Sequence, residues 1–185
     1  LGIYAASHHN QRGDVVIMGI SQLGISIPNF WLALLLILLF AVNAGWFASG
    51  GFPGWDAGLW GALKALILPA LALATVQGAI LARFTRSAVL ETLREDYVRT
   101  ARAKGLTQRQ TLWRHVLRNA MIPIVTVMGL QFANLLAGTI VVESVFSLPG
   151  IGRLILQSIS NRDVVVVRDV VTLLVAMVVV INFVV

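Results

Sequence analysis

The sequence contains no cysteine among its 185 residues. Without thiols, the chain can form neither a disulfide framework nor a thiolate-bound metal site. Charge is also scarce, because only 12% of the residues are Asp, Glu, Lys or Arg, whereas a soluble domain has about 25%. Hydrophobic residues make up 58% of the chain. This composition argues strongly against a soluble globular domain.

Long stretches of the chain lack any charged residue. No charge occurs between Asp14 and Asp56, between Lys64 and Arg83, or between Arg118 and Glu143. A helix needs about 20 apolar residues to cross the hydrocarbon core of a membrane. The sequence therefore predicts an all-α fold, a polytopic transmembrane helical bundle, with spans at about 19–42, 62–81, 119–142 and 170–185.

The predicted connections differ in character. A polar loop is expected over residues 7–14, and a connection rich in Gly, Pro and Trp over residues 43–61. Residues 146–152 are expected to form a compact external turn. For residues 164–167 we favour a loop or short re-entrant element, because an open strand would leave backbone groups unpaired in lipid. Both ends of the chain fall within apolar stretches, so we expect it to be incomplete at both ends.

Ionisable residues are nearly absent from the predicted spans, which disfavours a membrane enzyme or a proton-coupled carrier. We predict no catalytic residue and no metal site, and His8 and His9 are interpreted as a solvated pair. Polar side chains in or beside the spans are candidates for a translocation path, with hydrogen bonding between helices as the alternative. Glu143 fits either an outer gate or a solvated helix end. The candidate path residues are Gln77, Gln131, Asn134 and Glu143.

Positive charge is concentrated in one segment, residues 83–118, which holds nine of the fourteen Lys and Arg residues. By the positive-inside rule this segment is cytoplasmic. Residues 43–61 and 143–169 are then external, and the loop at residues 7–14 is internal.

This basic segment is patterned as well as charged. Apolar residues recur every four positions from Val89 to Ala101, which predicts one face of an amphipathic helix. Gly105 interrupts that pattern, and Thr107 with Gln110 three residues later fits a capping box that starts a second helix. A basic helix lying on anionic lipid remains an alternative. A nucleic-acid site is weaker, because the segment offers few aromatic side chains for base stacking.

The motifs of this segment resemble a known family. Residues 96–106 (DYVRTARAKGL) and 114–123 (RHVLRNAMIP) are similar to the cytoplasmic signature of binding-protein-dependent ABC permeases, in the dipeptide/oligopeptide/nickel branch. The resemblance extends to residues 26–31, 68–70, 82–87 and 143–152, so it covers essentially the whole chain. The acidic residue that opens the general superfamily pattern is replaced here by Arg99.

The resemblance implies a function for the segment. It implies a permease domain over residues 1–185 of the type I ABC importer kind, with a cytoplasmic helix–Gly–helix coupling loop at 83–118 that docks on a separate ATPase. Because the chain has no Gly-x-x-x-x-Gly-Lys-Ser/Thr motif, ATP and Mg would bind that partner and the chain itself would hold no cofactor. The residues expected to couple the chain to the ATPase are Tyr97, Arg99, Thr100, Ala101, Arg102, Lys104 and Gly105.

The same resemblance implies the assembly and its location. The partners would be a second permease, two ATP-binding subunits, a periplasmic or extracellular solute-binding protein and membrane lipid, with no nucleic acid. The location would be the plasma (inner) membrane of a bacterium or archaeon, and the cargo a peptide, nickel, an opine or a glutathione-like solute. A membrane scaffold is the remaining alternative, but it would not need the ordered helix–Gly–helix pattern.

Overall fold

The computed structural model describes every residue of the chain except Ala57, and all regular secondary structure in the described part is helical. The all-α class predicted from the sequence is thus confirmed, while the predicted connection at 43–61 includes Ala57, which lies outside the described residues. The helices are α1 (Gly2–Ser7), α2 (Arg12–Ser26), α3 (Asn29–Leu36), α4 (Leu59–Thr92), α5 (Asp96–Ala103), α6 (Gln108–Thr111), α7 (Leu117–Val145), α8 (Ile151–Ser160) and α9 (Val164–Val184), with π-helical continuations of α3 at Ile37–Asn43 and of α6 at Leu112–Val116.

Among the residues that the structure describes, three helical stretches are long and apolar enough to cross a membrane, namely Leu59–Thr92, Gln108–Val145 and Val164–Val184. They contain the predicted spans 62–81, 119–142 and 170–185. A helix of 34 residues such as α4 is about 51 Å long, whereas the hydrocarbon core is about 30 Å thick. Helix α4 therefore extends well beyond a single crossing, and the basic segment predicted as a loop from residue 83 begins as helix. The sidedness of the helix ends stays a prediction.

The predicted span at 19–42 is not one continuous helix, so that prediction is wrong in detail. Helix α2 ends at Ser26 and α3 begins at Asn29, with Pro28 in an extended conformation between them (φ −61°, ψ 139°). Proline disfavours helical backbone at the residue before it and has no N–H to donate. The two helices are together long and apolar enough to form either one broken span or a re-entrant loop that does not cross the membrane.

The C-terminal third also differs from the expectation. Residues 164–167 are the first turn of α9 rather than a loop, and Asp163 Oδ1 accepts a hydrogen bond from Val166 N at 3.1 Å. A carboxylate at that position satisfies a free N–H of the first turn and so starts the helix. The predicted compact turn at 146–152 ends earlier, because α8 begins at Ile151.

The described residues group into two compact units. The first unit comprises Leu1–Ser26, Gln77–Leu130 and Val185. Its core joins five helical segments through small and branched side chains. The buried members of this core are Ala6, Ala88, Val89, Val98, Val116, Ala120 and Ile124. Helix α1 lies directly against α4 here. The approach is so close that a Cβ on Gly2 would collide with the carbonyl oxygen of Ala82, so the contact depends on glycine.

The second unit comprises Ile27–Val76 and Gln131–Val184. Its core is centred on Phe146, which is 2% exposed, and the other buried members are Ala33, Leu68, Ala72, Val142 and Leu148. A backbone hydrogen bond joins the segment around Gly51 to the same residue, since Gly51 N donates to Phe146 O at 2.7 Å. Helix α9 contributes no buried residue, so its apolar side chains lie on the surface of this unit.

Close packing at Gly152 gives a stability test. A Cβ at this position would collide with Ile140 Cα and approach Glu143 Oε2 to 2.9 Å. Gly152→Ala should therefore destabilise the protein by about 1–3 kcal/mol through overpacking. The measurement is thermal unfolding of the purified protein in detergent.

Gly61→Ala is the matched control, because Gly61 is also helical and a Cβ there meets nothing within 4 Å. It should leave the unfolding temperature unchanged or raise it slightly, since Ala is the better helix former. Equal unfolding temperatures for the two variants would contradict the packing described for α8.

Candidate functional site

The segment between α4 and α7 is a helix, a glycine turn and a second helix, but its boundaries differ from the predicted ones. Val89 belongs to the end of α4, the chain turns after Thr92, and α5 starts at Asp96. The single amphipathic helix predicted from Val89 to Ala101 is therefore wrong. Of the residues in the four-residue repeat, Val89 and Leu93 pack in the core before or at the turn, whereas Tyr97 and Ala101 belong to α5.

Gly105 makes the turn after α5 possible. Its φ is +88°, in the left-handed region that glycine adopts without steric cost. The amides of Gly105 and Leu106 donate to the carbonyl oxygens of Arg102 (2.9 Å) and Ala101 (3.3 Å), which closes the C-terminal end of α5. The turn thus depends on glycine for its backbone conformation.

The capping box predicted for the second helix is confirmed. Gln110 N donates to Thr107 Oγ1 at 3.3 Å, and Thr107 N donates to Gln110 Oε1 at 3.0 Å. From Gln108 the helical backbone runs without a break to Val145. The short helix α6 is therefore the continuous start of a membrane-length helix, and a displacement of α6 must displace that helix.

Helix α5 is fixed to its neighbours by a small buried cluster. Val98 and Val116 have no exposed surface, and Ala101 is 7% exposed. Val98 and Val116 share one core with Val89 of α4 and Ala120 of α7. Asn119 Nδ2 also donates to Tyr97 Oη at 2.9 Å. Together these contacts attach α5 to the base of α4 and to the start of α7.

A groove of about 450 Å³ opens on the outer side of this element. Its walls come from α5, the glycine turn and the segment that leads into α7. The lining residues are Tyr97, Thr100, Ala101, Lys104, Leu106, Arg114 and His115. With two basic side chains and no acidic one, the groove suits a partner that offers carboxylate or carbonyl oxygens.

The seven residues predicted to couple the chain to a partner separate into three groups. Tyr97, Thr100, Ala101 and Lys104 line the groove, and Gly105 forms the turn beside it. Arg99 and Arg102 are exposed but do not line the groove, and Arg99 Nη1 lies 3.5 Å from Asp96 Oδ1. Because both partners of that ion pair are largely exposed, the pair contributes little to stability.

The four candidate path residues lie on two helices. Gln77 lies on α4 in the first unit, whereas the other three lie on α7 in the second unit. Asn134 is exposed, and its Nδ2 donates to Gln131 Oε1 at 2.9 Å. The i, i+3 spacing on α7 thus does bring these two polar side chains together.

The structure places Glu143 at the start of α8. Its Oε2 accepts hydrogen bonds from Gly152 N at 2.7 Å and Arg153 N at 3.2 Å. An anion at a helix N-terminus satisfies free N–H groups and is favoured by the helix dipole. A Cβ on Gly150 would collide with the carboxylate, so glycine there gives Glu143 access to α8. Neither alternative from the sequence, an outer gate or a solvated end, anticipated this contact.

Sequence reasoning missed a buried ionic cluster in the first unit. Asp14, placed in a loop by the sequence, lies in the first turn of α2 and is 2% exposed. It pairs with Arg86 of α4, and His9 contacts both, so His9 is not a simply solvated residue. One signal was available: Asp14 is the last charge before 41 uncharged positions, and an acid so close to an apolar span needs a partner.

Comparison with known proteins agrees with the resemblance noted for the motifs. The whole chain, residues 1–185, matches the family described as binding-protein-dependent transport system inner membrane component. It is 42% identical over 204 aligned positions to the di/tripeptide transport system permease protein DppB of Pseudomonas aeruginosa strain UCBPP-PA14, covering 100% of the chain and 61% of that protein.

A second similar protein is the glutathione transport system permease protein GsiC of Escherichia coli strain K12. The identity is 47% over 167 positions, which cover 90% of the chain and 52% of that protein. The chain thus spans between half and two thirds of the length of these relatives.

The turn at Gly105 can be tested independently of any activity. A Cβ there meets nothing within 4 Å, so a substitution acts through backbone strain alone. Gly105→Val should cost about 1–2 kcal/mol or more, and Gly105→Asn less, because Asn tolerates the left-handed region. The measurement is the rate of limited trypsin cleavage at Lys104 and Arg109, which should rise in the order Gly, Asn, Val.

Gly58→Val is the control, since Gly58 has φ +98° and equally open surroundings but lies in the second unit. It should leave cleavage at Lys104 and Arg109 unchanged. If Gly105→Val were cleaved no faster than the wild-type protein, the turn would not depend on glycine.

Proposed function

Because the chain belongs to the family of binding-protein-dependent transport system inner membrane components, we propose that it is the membrane-spanning permease part of an ATP-driven importer. The observation that carries the proposal is the α5–Gly105–α6 element. It presents an open basic groove on one side and is continuous with a membrane-length helix on the other. Such an element can transmit movement from a soluble partner to the membrane.

The energy source would be a separate ATPase. The chain has no phosphate-binding loop motif, so nucleotide and Mg would bind the partner. Closure of two ATP-binding subunits would displace the α5–Gly105–α6 element of each permease. Because α6 continues into α7 without a break, the displacement would tilt α7 and switch the access of a central path from one side of the membrane to the other.

The family description also supports the other partners. A binding-protein-dependent system requires a solute-binding protein, which would dock on the external segments, and a second permease would complete the path. Helix α9 supports a contact with lipid or with that second permease, because none of its residues is buried within the chain.

The proposed cargo is a short peptide or a related small solute. One relative is named for di- and tripeptides and another for glutathione, while the family resemblance adds nickel. The structure supports a weakly polar path rather than a selective charged site, since the polar pair on α7 is an amide pair. Selection of the cargo would then rest mainly with the binding protein.

Charge reversal in the groove tests the docking of the ATPase. In the complete transporter, Lys104→Glu should lower both the amount of ATPase that copurifies and the ATP-dependent uptake, by about tenfold, because it opposes carboxylates on the partner. The measurements are the stoichiometry of the purified complex and solute uptake into proteoliposomes.

Arg109→Glu is the matched control, because Arg109 is an exposed cation of the same element that does not line the groove. It should leave both quantities within about twofold of the wild-type values. If the element instead lay on anionic lipid, both variants would change uptake to a similar extent and neither would release the ATPase, which would contradict the proposal.

We propose that Gln131 and Asn134 face the translocation path, with Asn134 the more exposed of the two. Asn134→Val should lower uptake per assembled complex several-fold by removing a polar contact for a solute, at unchanged basal ATP hydrolysis. The measurement is initial uptake rate normalised to complex in proteoliposomes.

The alternative for this pair is a bond that only stabilises helices, worth about 0.6 kcal/mol in membranes. In that case Asn134→Val would lower the unfolding temperature and leave uptake per complex unchanged. Val141→Asn serves as a control for polarity, since it adds an amide at another exposed position of α7 and should not impair uptake.

A further inference from the structure

We infer that Asp14, Arg86 and His9 form a clamp that fixes α2 to α4 and passes the movement of the α5–Gly105–α6 element to α2. This inference rests on the proposed function and adds positioning residues to it. The three side chains lie outside the groove that would receive the ATPase. They belong to the first unit, as does the whole α5–Gly105–α6 element.

The geometry of the pair is directional. Arg86 Nε lies 2.6 Å from Asp14 Oδ1, and Arg86 Nη2 lies 2.7 Å from Asp14 Oδ2. This two-point contact between planar groups fixes orientation as well as distance. The amide of Asn10 also donates to Asp14 Oδ2 at 2.9 Å, which ties the turn before α2 to the same carboxylate.

His9 completes the cluster through one ring nitrogen. Its Nδ1 lies 2.9 Å from Arg86 Nη2 and 3.2 Å from Asp14 Oδ2. Because a guanidinium has only donors and an ionised carboxylate only acceptors, Nδ1 accepts from Arg86 in one tautomer and donates to Asp14 in the other. In either tautomer the imidazole links the turn between α1 and α2 to the buried pair.

Burial makes the contact hard to open. Asp14 is 2% exposed, and the side chain of Arg86 is 21% exposed. Separating the two would leave a charge in a poorly solvated site, which is far more costly than breaking a surface pair. The clamp should therefore stay closed while the helices move, so that α2 and this part of α4 shift together.

The position of Arg86 on α4 places the clamp next to the α5–Gly105–α6 element. Arg86 lies one helical turn before Val89, and Val89 shares a buried core with Val98 of α5. The clamp and the α5–Gly105–α6 element thus contact neighbouring turns of α4. A movement of α5 reaches Val89 through the buried cluster, and from Arg86 it reaches the first turn of α2.

A second contact between the same two helices provides the matched control. Arg83 Nη1 lies 3.5 Å from Gln22 Oε1 in an exposed setting. It joins α4 to α2 as the clamp does, but a long contact to a neutral, solvated amide imposes no firm register. Arg83→Ala therefore removes a link between the helices without opening the clamp.

The experiment uses the complete transporter in proteoliposomes and measures solute transported per ATP hydrolysed. Asp14→Asn and Arg86→Lys should each lower this ratio by about tenfold while ATP hydrolysis continues. The reason is that α2 would no longer be fixed in register with α4 and would not follow its movement. The charge-exchanged double variant, Asp14→Arg with Arg86→Asp, should recover part of the loss. Arg83→Ala should keep the wild-type ratio.

A purely structural pair would give a different result. The variants would then yield less assembled complex, or none, but any complex that formed would transport as much per ATP as the wild type, and either outcome would overturn the inference. The proposed function fails separately, if the wild-type transporter shows no ATP-dependent uptake at all.

Discussion

The burial of Val98 against Val89 and Val116 is the interaction on which the rest of the arrangement depends. Helix α5 has only eight residues, and a helix that short is not stable by itself in water. Its backbone conformation is maintained because its apolar side enters a core made by the ends of two much longer helices. The opposite side is then free to be polar, and the groove with its basic rim exists only because that core holds α5 in place.

The same dependence explains why the element can act as a lever. Two membrane-length helices meet it, one ending just before α5 and the other beginning with α6. Were the connections flexible, force applied at the groove would be lost in the loops. Instead the turn at Gly105 is closed by backbone hydrogen bonds, and the capping box fixes the start of α6. The element is therefore stiff because hydrogen bonds fix its two connections, the turn at Gly105 and the start of α6, which would otherwise be flexible.

Much of this was accessible from the sequence, and the reasons are physical. The long spans were predictable because the membrane imposes both a length and a hydropathy on a crossing helix. The capping box was predictable because its two residues, Thr107 and Gln110, lie three positions apart and bond to each other. Gly105 was predictable as the end of a helix. By contrast, the break at Pro28 was missed because proline is often tolerated within apolar helices, so its presence alone does not locate a break.

The contacts between distant parts of the sequence were not predictable in the same way. Asp14 and Arg86 are 72 positions apart, and nothing in the periodicity of either helix reports the other. Glu143 bonds to the backbone of Gly152 and Arg153, which a reading of side-chain types does not register. In both cases only the long uncharged stretch on one side of the residue marked it as needing a partner. That signal says that a partner exists and gives no indication of where it lies.

Apolar packing and ionic contact have different roles in the first unit. Packing among Ala and Val side chains is favourable but largely non-directional, so helices held by it alone can slide by small amounts at little cost. The buried Asp14–Arg86 pair adds little net stability, since desolvation offsets most of the attraction, yet its two-point geometry permits one register only. A permease that transmits movement as proposed would need both the cohesion of the core and a contact that prevents slippage. That second requirement would account for a costly buried pair beside a sufficient apolar core.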